Sequence, residues 1–336
     1  MSSFQLRCAR LALAGVAAGA FTSAAVGQTL GADFAASYQI FDLGSVADLP
    51  PSYGGLTFLD SNTLLIGGAA NEDIGLIYQV GVARDTTTQA ITGFGNATVW
   101  RGGTIGAYND GGVVFGPGGV LFTSRWPVNE LGQTKPGSTA EDKIIDLGAQ
   151  GVAISNAALN FVPAGFGGAG QLKLVSFGEG QWYSAGLAAD GNGTFDLVGL
   201  TAVNLGTVDG NLPGGPEGFV YVAGDNPGFG GSPSMLVAEW SVGNVAAYQV
   251  DANGNPIGSS RRDFISGLDG AEGAVLDPLT GDFLFSTFGG GDRVVRVAGF
   301  TEPPPPMIPE PATYALWLGG LVCMAAAVRR RRSGAC

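Results

Sequence analysis

One short pattern returns along the middle of the chain and limits what it can fold into. Gly54-Gly55-Leu56-Thr57-Phe58 is followed by Leu64-Leu65-Ile66, and Gly111-Gly112-Val113-Val114-Phe115 leads through Gly116-Pro117-Gly118-Gly119 to Val120-Leu121-Phe122. Pro216-Glu217-Gly218-Phe219-Val220 and Ala271-Glu272-Gly273-Ala274-Val275 open in the same way, and Ala158-Leu159-Asn160-Phe161 is a weaker copy. In each copy a short apolar strand turns tightly into a second. The starts lie roughly 45–60 residues apart, the length of one four-stranded propeller blade. Asp190-Gly191, Asn192-Gly193, Asp209-Gly210, Asn253-Gly254 and Asp269-Gly270 fall between apolar runs and are hairpin-turn chemistry. Glycine makes up 58 of the 336 residues, as repeated tight turns with positive φ require. No segment between residues 28 and 300 carries the period of an amphipathic helix. These signals predict an all-β domain over 28–300, a β-propeller of five or six blades in which Tyr38–Leu43 completes the last one. A β-sandwich or β-solenoid is the alternative that the same strands allow.

Composition removes several chemistries. The chain has no histidine, so no Ser-His-Asp or Cys-His pair, histidine zinc site or histidine-ligated haem can form. Its three cysteines, Cys8, Cys323 and Cys336, all lie in the end segments, which leaves the central domain without a disulfide. Between residues 28 and 300 there are 10 basic and 26 acidic residues, a net of −16. A surface this acidic repels nucleic acid and anionic lipid, while divalent cations, basic partners and neutral sugars remain compatible with it.

The two ends read as an address. Arg7 and Arg10 precede the apolar run Leu11–Phe21, and Ala25-Val26-Gly27 has the small-x-small form that a signal peptidase prefers. This predicts a signal peptide over 1–27, cleaved between Gly27 and Gln28. At the other end a proline run over 301–308 favours an extended, stiff spacer. Pro309-Glu310-Pro311 follows, then the uncharged stretch Ala312–Val328, then Arg329, Arg330, Arg331 and Arg332. At about 1.5 Å per residue Pro311–Val328 covers roughly 27 Å, enough for a transmembrane helix, and the arginines after it stay cytoplasmic. The order of motif, apolar helix and arginine cluster over 309–332 resembles the PEP-CTERM sorting domain. The resemblance implies an inner-membrane intermediate, processing by an exosortase-type protease, and delivery to the cell surface, outer envelope or extracellular matrix, often alongside exopolysaccharide.

Asp277-Pro278-Leu279-Thr280-Gly281-Asp282-Phe283-Leu284-Phe285 resembles the blade turns of NHL and gluconolactonase-like propellers. In such a propeller Glu217 and Glu272, each before a glycine at the opening of a repeat, point toward the central channel. There, carboxylates suit a hard cation such as Ca²⁺. Gly54 and Gly111 occupy the matching point of two other copies, so the pattern offers two acids and no complete ligand set.

Asp251-Ala252-Asn253-Gly254-Asn255 and Asp190-Gly191-Asn192-Gly193 open like calcium loops but lack the later ligands, which makes them hairpin turns. Gly165-Phe166-Gly167-Gly168-Ala169-Gly170 matches a phosphate-binding spacing, but a strand pattern follows it, so it reads as a turn. Trp100, Trp126, Trp182 and Trp240, with Tyr183 and Tyr221, are candidates for stacking on sugars, against the ordinary role of packing between sheets. The expected function is a non-enzymatic binding or matrix component associated with exopolysaccharide. The alternative is a calcium-dependent propeller hydrolase or lyase that uses channel carboxylates.

Overall fold

The computed structural model describes residues 27–300. The leader before Gly27, the linker 301–308, the motif Pro309-Glu310-Pro311 and the cluster Arg329–Arg332 lie outside the described residues. Among the described residues no helix is long and apolar enough to cross a membrane.

Five antiparallel sheets stand side by side as the blades of a propeller. Blade 1 consists of Leu56–Asp60, Thr63–Gly68, Leu76–Arg84 and Ile91–Phe94, with Thr98–Val99 also pairing its third strand. Blade 2 is Asn109–Phe115, Leu121–Arg125, Glu130–Thr134 and Lys143–Asp146, and blade 3 is Asn156–Phe161, Leu172–Ser176, Trp182–Ala189 and Phe195–Val203. Blade 4 is Pro216–Val222, Ser234–Glu239, Asn244–Gln249 and Arg262–Ser266, to which Thr29–Leu30 adds a fifth strand. Blade 5 takes three strands, Ala271–Leu276, Phe283–Thr287 and Val294–Ala298, from the end of the described chain and its outermost, Gln39–Asp42, from the beginning. The expected role of Tyr38–Leu43 is thus met, and the blade number is five. Closing the ring in this way leaves no open edge between first and last blade.

Each blade buries its faces against its neighbours rather than within itself. Five apolar clusters result, one per seam: for example Phe122, Leu159, Phe161 and Leu174 between blades 2 and 3, and Phe34, Phe264, Phe283 and Phe285 between blades 4 and 5. At about 25 cal/mol per Å² of apolar surface these seams are the main driving force for the ring. The inner strands meet at the axis, which demands small residues. A Cβ on Gly273 would stand 2.7 Å from Gly55 Cα, and one on Gly218 would stand 2.6 Å from the Glu272 carbonyl oxygen. Two serines brace this packing. Ser124 Oγ donates to the Ala157 carbonyl of the next blade at 2.7 Å, and Ser286 Oγ donates to the Gly54 carbonyl at 2.6 Å across the ring closure.

Candidate metal centre

In blades 2 to 5 the inner strand begins with a bulge against its second strand. In blades 4 and 5 one extra residue separates the pairs Pro216↔Glu239 and Phe219↔Val237, and likewise Ala271↔Thr287 and Ala274↔Phe285. The bulge turns Glu217 and Glu272 toward the axis. In blade 2 the bulge is one residue longer, between Asn109↔Arg125 and Val113↔Thr123. The residue that stands beside the two glutamates is therefore Asp110, not Gly111. The corresponding residues of blades 3 and 1 are Ala157 and Gly54, whose carbonyls accept from the equivalent serines Ser124 and Ser286 of the preceding blades.

Asp110, Glu217 and Glu272 each bring a carboxylate oxygen within 4.8 Å of the others, and they are 1%, 4% and 2% exposed. The sequence pattern found two of the three. It missed Asp110 because the repeats were aligned on Gly111-Gly112 rather than on acid-glycine; the pair Asp110-Gly111 carried the signal one residue earlier. Close approach is built in here as well: a Cβ on Gly111 would stand 2.7 Å from Glu217 Oε2.

The three acids are poorly provided for. Asp110 Oδ2, Glu217 Oε2 and Glu272 Oε1 have no hydrogen-bond partner, and neither atom of the fully buried Asn156 amide has one. Asp110 has some support: with its amide nitrogen turned inward, Asn71 donates to Asp110 Oδ1 at 3.0 Å and to the Asn109 carbonyl at 3.3 Å. Burial pushes the Asp110 carboxyl up to about 7, against smaller lowering contributions from its contact with Glu272, the Gly111 amide and Asn71. Glu217 is raised well above the ordinary range by burial and then by the charge of Asp110. Glu272 is raised by burial, then by Glu217 and Asp110. No lysine or arginine pairs with any of the three among the described residues.

Such a cluster persists only with protons or a cation among its oxygens. A calcium ion holds oxygens at about 2.3–2.6 Å, so oxygens around it lie up to roughly 5 Å apart, and the three here, all within 4.8 Å of one another, are close enough to share one ion. The donor set is all oxygen and strongly anionic, which suits a hard divalent ion. Asp110, Glu217 and Glu272 would hold it.

The remaining candidates have structural employment. Trp100, Trp182, Tyr183 and Tyr221 are buried between blades, which removes four of the six proposed sugar-stacking residues; Trp126 is half-buried and Trp240 exposed. Asp251 Oδ1 accepts the backbone amides of Asn253 and Asn255, each at 2.8 Å. Asp190 is held well below the usual carboxylate range, first by Lys143 Nζ, which donates at 2.8 Å, and then by Thr194 and the Asn192 amide. Both stretches are hairpin turns. The glycine run 165–170 is a turn lying against residues 252–254 of blade 4.

No protein-family model matches this chain, and no curated protein matches it. Among solved structures it is similar to an auxiliary nutrient-binding protein from Bacteroides thetaiotaomicron, at 10% identity and a TM-score of 0.45, over 78% of this chain and 76% of that one. A second nutrient-binding protein, from Bacteroides ovatus, aligns at 12% identity and a TM-score of 0.39, over 78% and 76% of the two chains. A proposed gluconolactonase aligns at 13% identity and a TM-score of 0.40, over 78% of this chain and 92% of its own. Likenesses at these scores carry no assignment of ligand or activity.

Proposed function

We propose that this chain is an exported, surface-delivered propeller that acts as a binding or matrix component, and that one hard divalent cation, calcium by its chemistry, locks its axis. The observation that carries the reading is the sealed trio Asp110, Glu217 and Glu272, with facing oxygens left unpartnered at almost no exposure. An ion there would join blades 2, 4 and 5 and serve stability, because no face of the trio is open to a substrate. The same sealing speaks against the hydrolase or lyase alternative, which needs a carboxylate or a metal position that substrate atoms can reach. Delivery through a PEP-CTERM tail, processing by signal peptidase and an exosortase-type protease, and association with exopolysaccharide rest on the sequence of the two ends.

Calorimetric titration of the full chain with calcium, after chelation, tests the central claim. One binding event per chain is expected, lost in Glu217→Gln and Glu272→Gln. Absence of heat and of any rise in thermal midpoint at millimolar calcium would remove the cation from the proposal. Calcium-dependent turnover of a lactone or polysaccharide would replace it with the enzyme reading.

A further inference from the structure

Antiparallel pairing puts the turn after each second strand, and the link into each inner strand, at one end of the propeller, the end where the carboxylates lie. The tips at this end carry two kinds of side chain. Glu72 and Asp73 stand in the turn of blade 1, Glu179 in that of blade 3, and Asp269 in the link into blade 5. All four are exposed, and none is in an ion pair. On the turns and links of the same end Ile74 and Ile154 are 73% and 74% exposed, Val242 is 54% exposed, and Trp240 is exposed with its indole N–H donating to the Phe288 carbonyl at 3.2 Å.

Cations at this end are already committed. Arg125 pairs with Glu130 and Glu141, and Arg293 pairs with Asp42 at 2.6 Å. Arg101, in the link into blade 2, reaches instead to the opposite end, where its guanidinium donates to the carbonyls of Lys135 and Ser138 in the outer turn of blade 2. The other basic side chains of the described residues belong to strands or to turns at the opposite end. The described chain also ends at that far face: the third strand of blade 5 ends at Ala298, and Phe300 packs there on Phe283 and Tyr38, with ring centroids 4.1 Å and 4.5 Å away.

We propose that this turn face docks a partner through a polypeptide segment that is cationic and partly apolar. Uncompensated carboxylates between exposed apolar tips complement lysine or arginine interleaved with aliphatic side chains, and the field of the face steers such a segment toward it. A neutral polysaccharide gains nothing from the acids, and a nucleic acid is repelled by them. The inference does not depend on a cation in the channel.

The test is fluorescence anisotropy of a labelled lysine–leucine peptide against the full chain in detergent, with calcium present and at low ionic strength. The triple variant Glu72→Gln, Asp73→Asn, Glu179→Gln should bind about tenfold more weakly or worse. A matched triple at the far end, Asp60→Asn, Asp85→Asn, Asp225→Asn, should change affinity less than about twofold. Ile74→Ser with Val242→Ser, charge unchanged, should weaken binding about threefold. Equal losses from the two triples would reduce the effect to net charge and overturn the proposal. Equal affinity for a glutamate–leucine peptide, or displacement of the lysine–leucine peptide by neutral dextran, would overturn it as well, the latter in favour of a polysaccharide.

Discussion

At the far end of the propeller Asp277, fully buried in the first hairpin of blade 5, receives both terminal nitrogens of Arg84 from blade 1, at 2.7 and 2.9 Å. Nearby Asp282 pairs with Arg296 at 3.2 Å, both about 8% exposed. At the turn end three acids of equal burial face one another with no cation, and the exposed acids above them are unpaired as well. One strand repeat builds both ends. The far end pairs its buried charges and closes the ring, whereas the turn end leaves its buried charges to something supplied from outside. Breaking a self-satisfied pair should therefore cost stability under all conditions, while altering the turn end should matter according to what is bound or protonated.

The largest effect belongs to the far end. Asp277→Ala strands the Arg84 guanidinium in the seam between blades 5 and 1 and should lower stability by about 3–5 kcal/mol. Urea unfolding with and without calcium checks it, and the loss should be the same in both. A loss that appears only without calcium would couple the two ends and break the comparison.

Calcium comes next. At a free concentration one hundred times its dissociation constant, one bound ion raises stability by about 2.7 kcal/mol. Glu217→Gln and Glu272→Gln should abolish this increment. Without calcium the same variants should unfold no earlier than the parent, since each removes a carboxylate that burial already disfavours. Loss of stability in the chelated variants would show the carboxylates to be satisfied without an ion.

pH separates protons from metal. A carboxyl raised by burial contributes stability that is fully present below its unfolded value of about 4 and is lost as pH rises through its folded value. In chelator the thermal midpoint should therefore fall between pH 4 and beyond pH 7, since Asp110 is pushed up to about 7 and both glutamates are raised. Asp282, raised to about 6 by burial against the pull of Arg296, adds a decline of the same sign below pH 7. In Asp282→Asn the decline above pH 6 should persist, and saturating calcium should flatten it. A midpoint indifferent to pH in chelator would mean that the trio does not titrate.

The smallest effect is expected at Lys143, on the outer strand of blade 2, which bridges Asp190 in the last hairpin turn of blade 3 and Asp196 on its outer strand, the latter largely exposed. Lys143→Ala should change stability by less than about 1 kcal/mol, and salt should diminish even that. A larger loss, read by the same urea unfolding, would mean that surface pairs hold the blades together more than the apolar seams do.

Much of the architecture could be read in advance because blades are local. Val113-Val114-Phe115 followed by a glycine-rich turn and Val120-Leu121-Phe122 is a hairpin whatever surrounds it, and the spacing of such hairpins predicted blades. The number five was not local. It depended on Asn156–Phe161, whose opening lacks the acid-glycine signature, being a full inner strand. The aromatic candidates failed for a related reason: Trp182 and Tyr221 look the same in sequence whether they face a seam or solvent, and both proved to be seam residues.

The sequence by itself determined an all-β chain of repeated hairpins, the absence of histidine and disulfide chemistry from its domain, a strongly acidic surface, and the presence of Glu217 and Glu272 at equivalent points of two repeats. Only the tertiary structure decided that these glutamates meet, that Asp110 joins them through a longer bulge, and that solvent is shut out. Convergence at an axis sums positions from blades 55 to 162 residues apart in sequence. The register of each bulge is fixed by pairing with a neighbouring strand, and so is the choice of which acid reaches the centre.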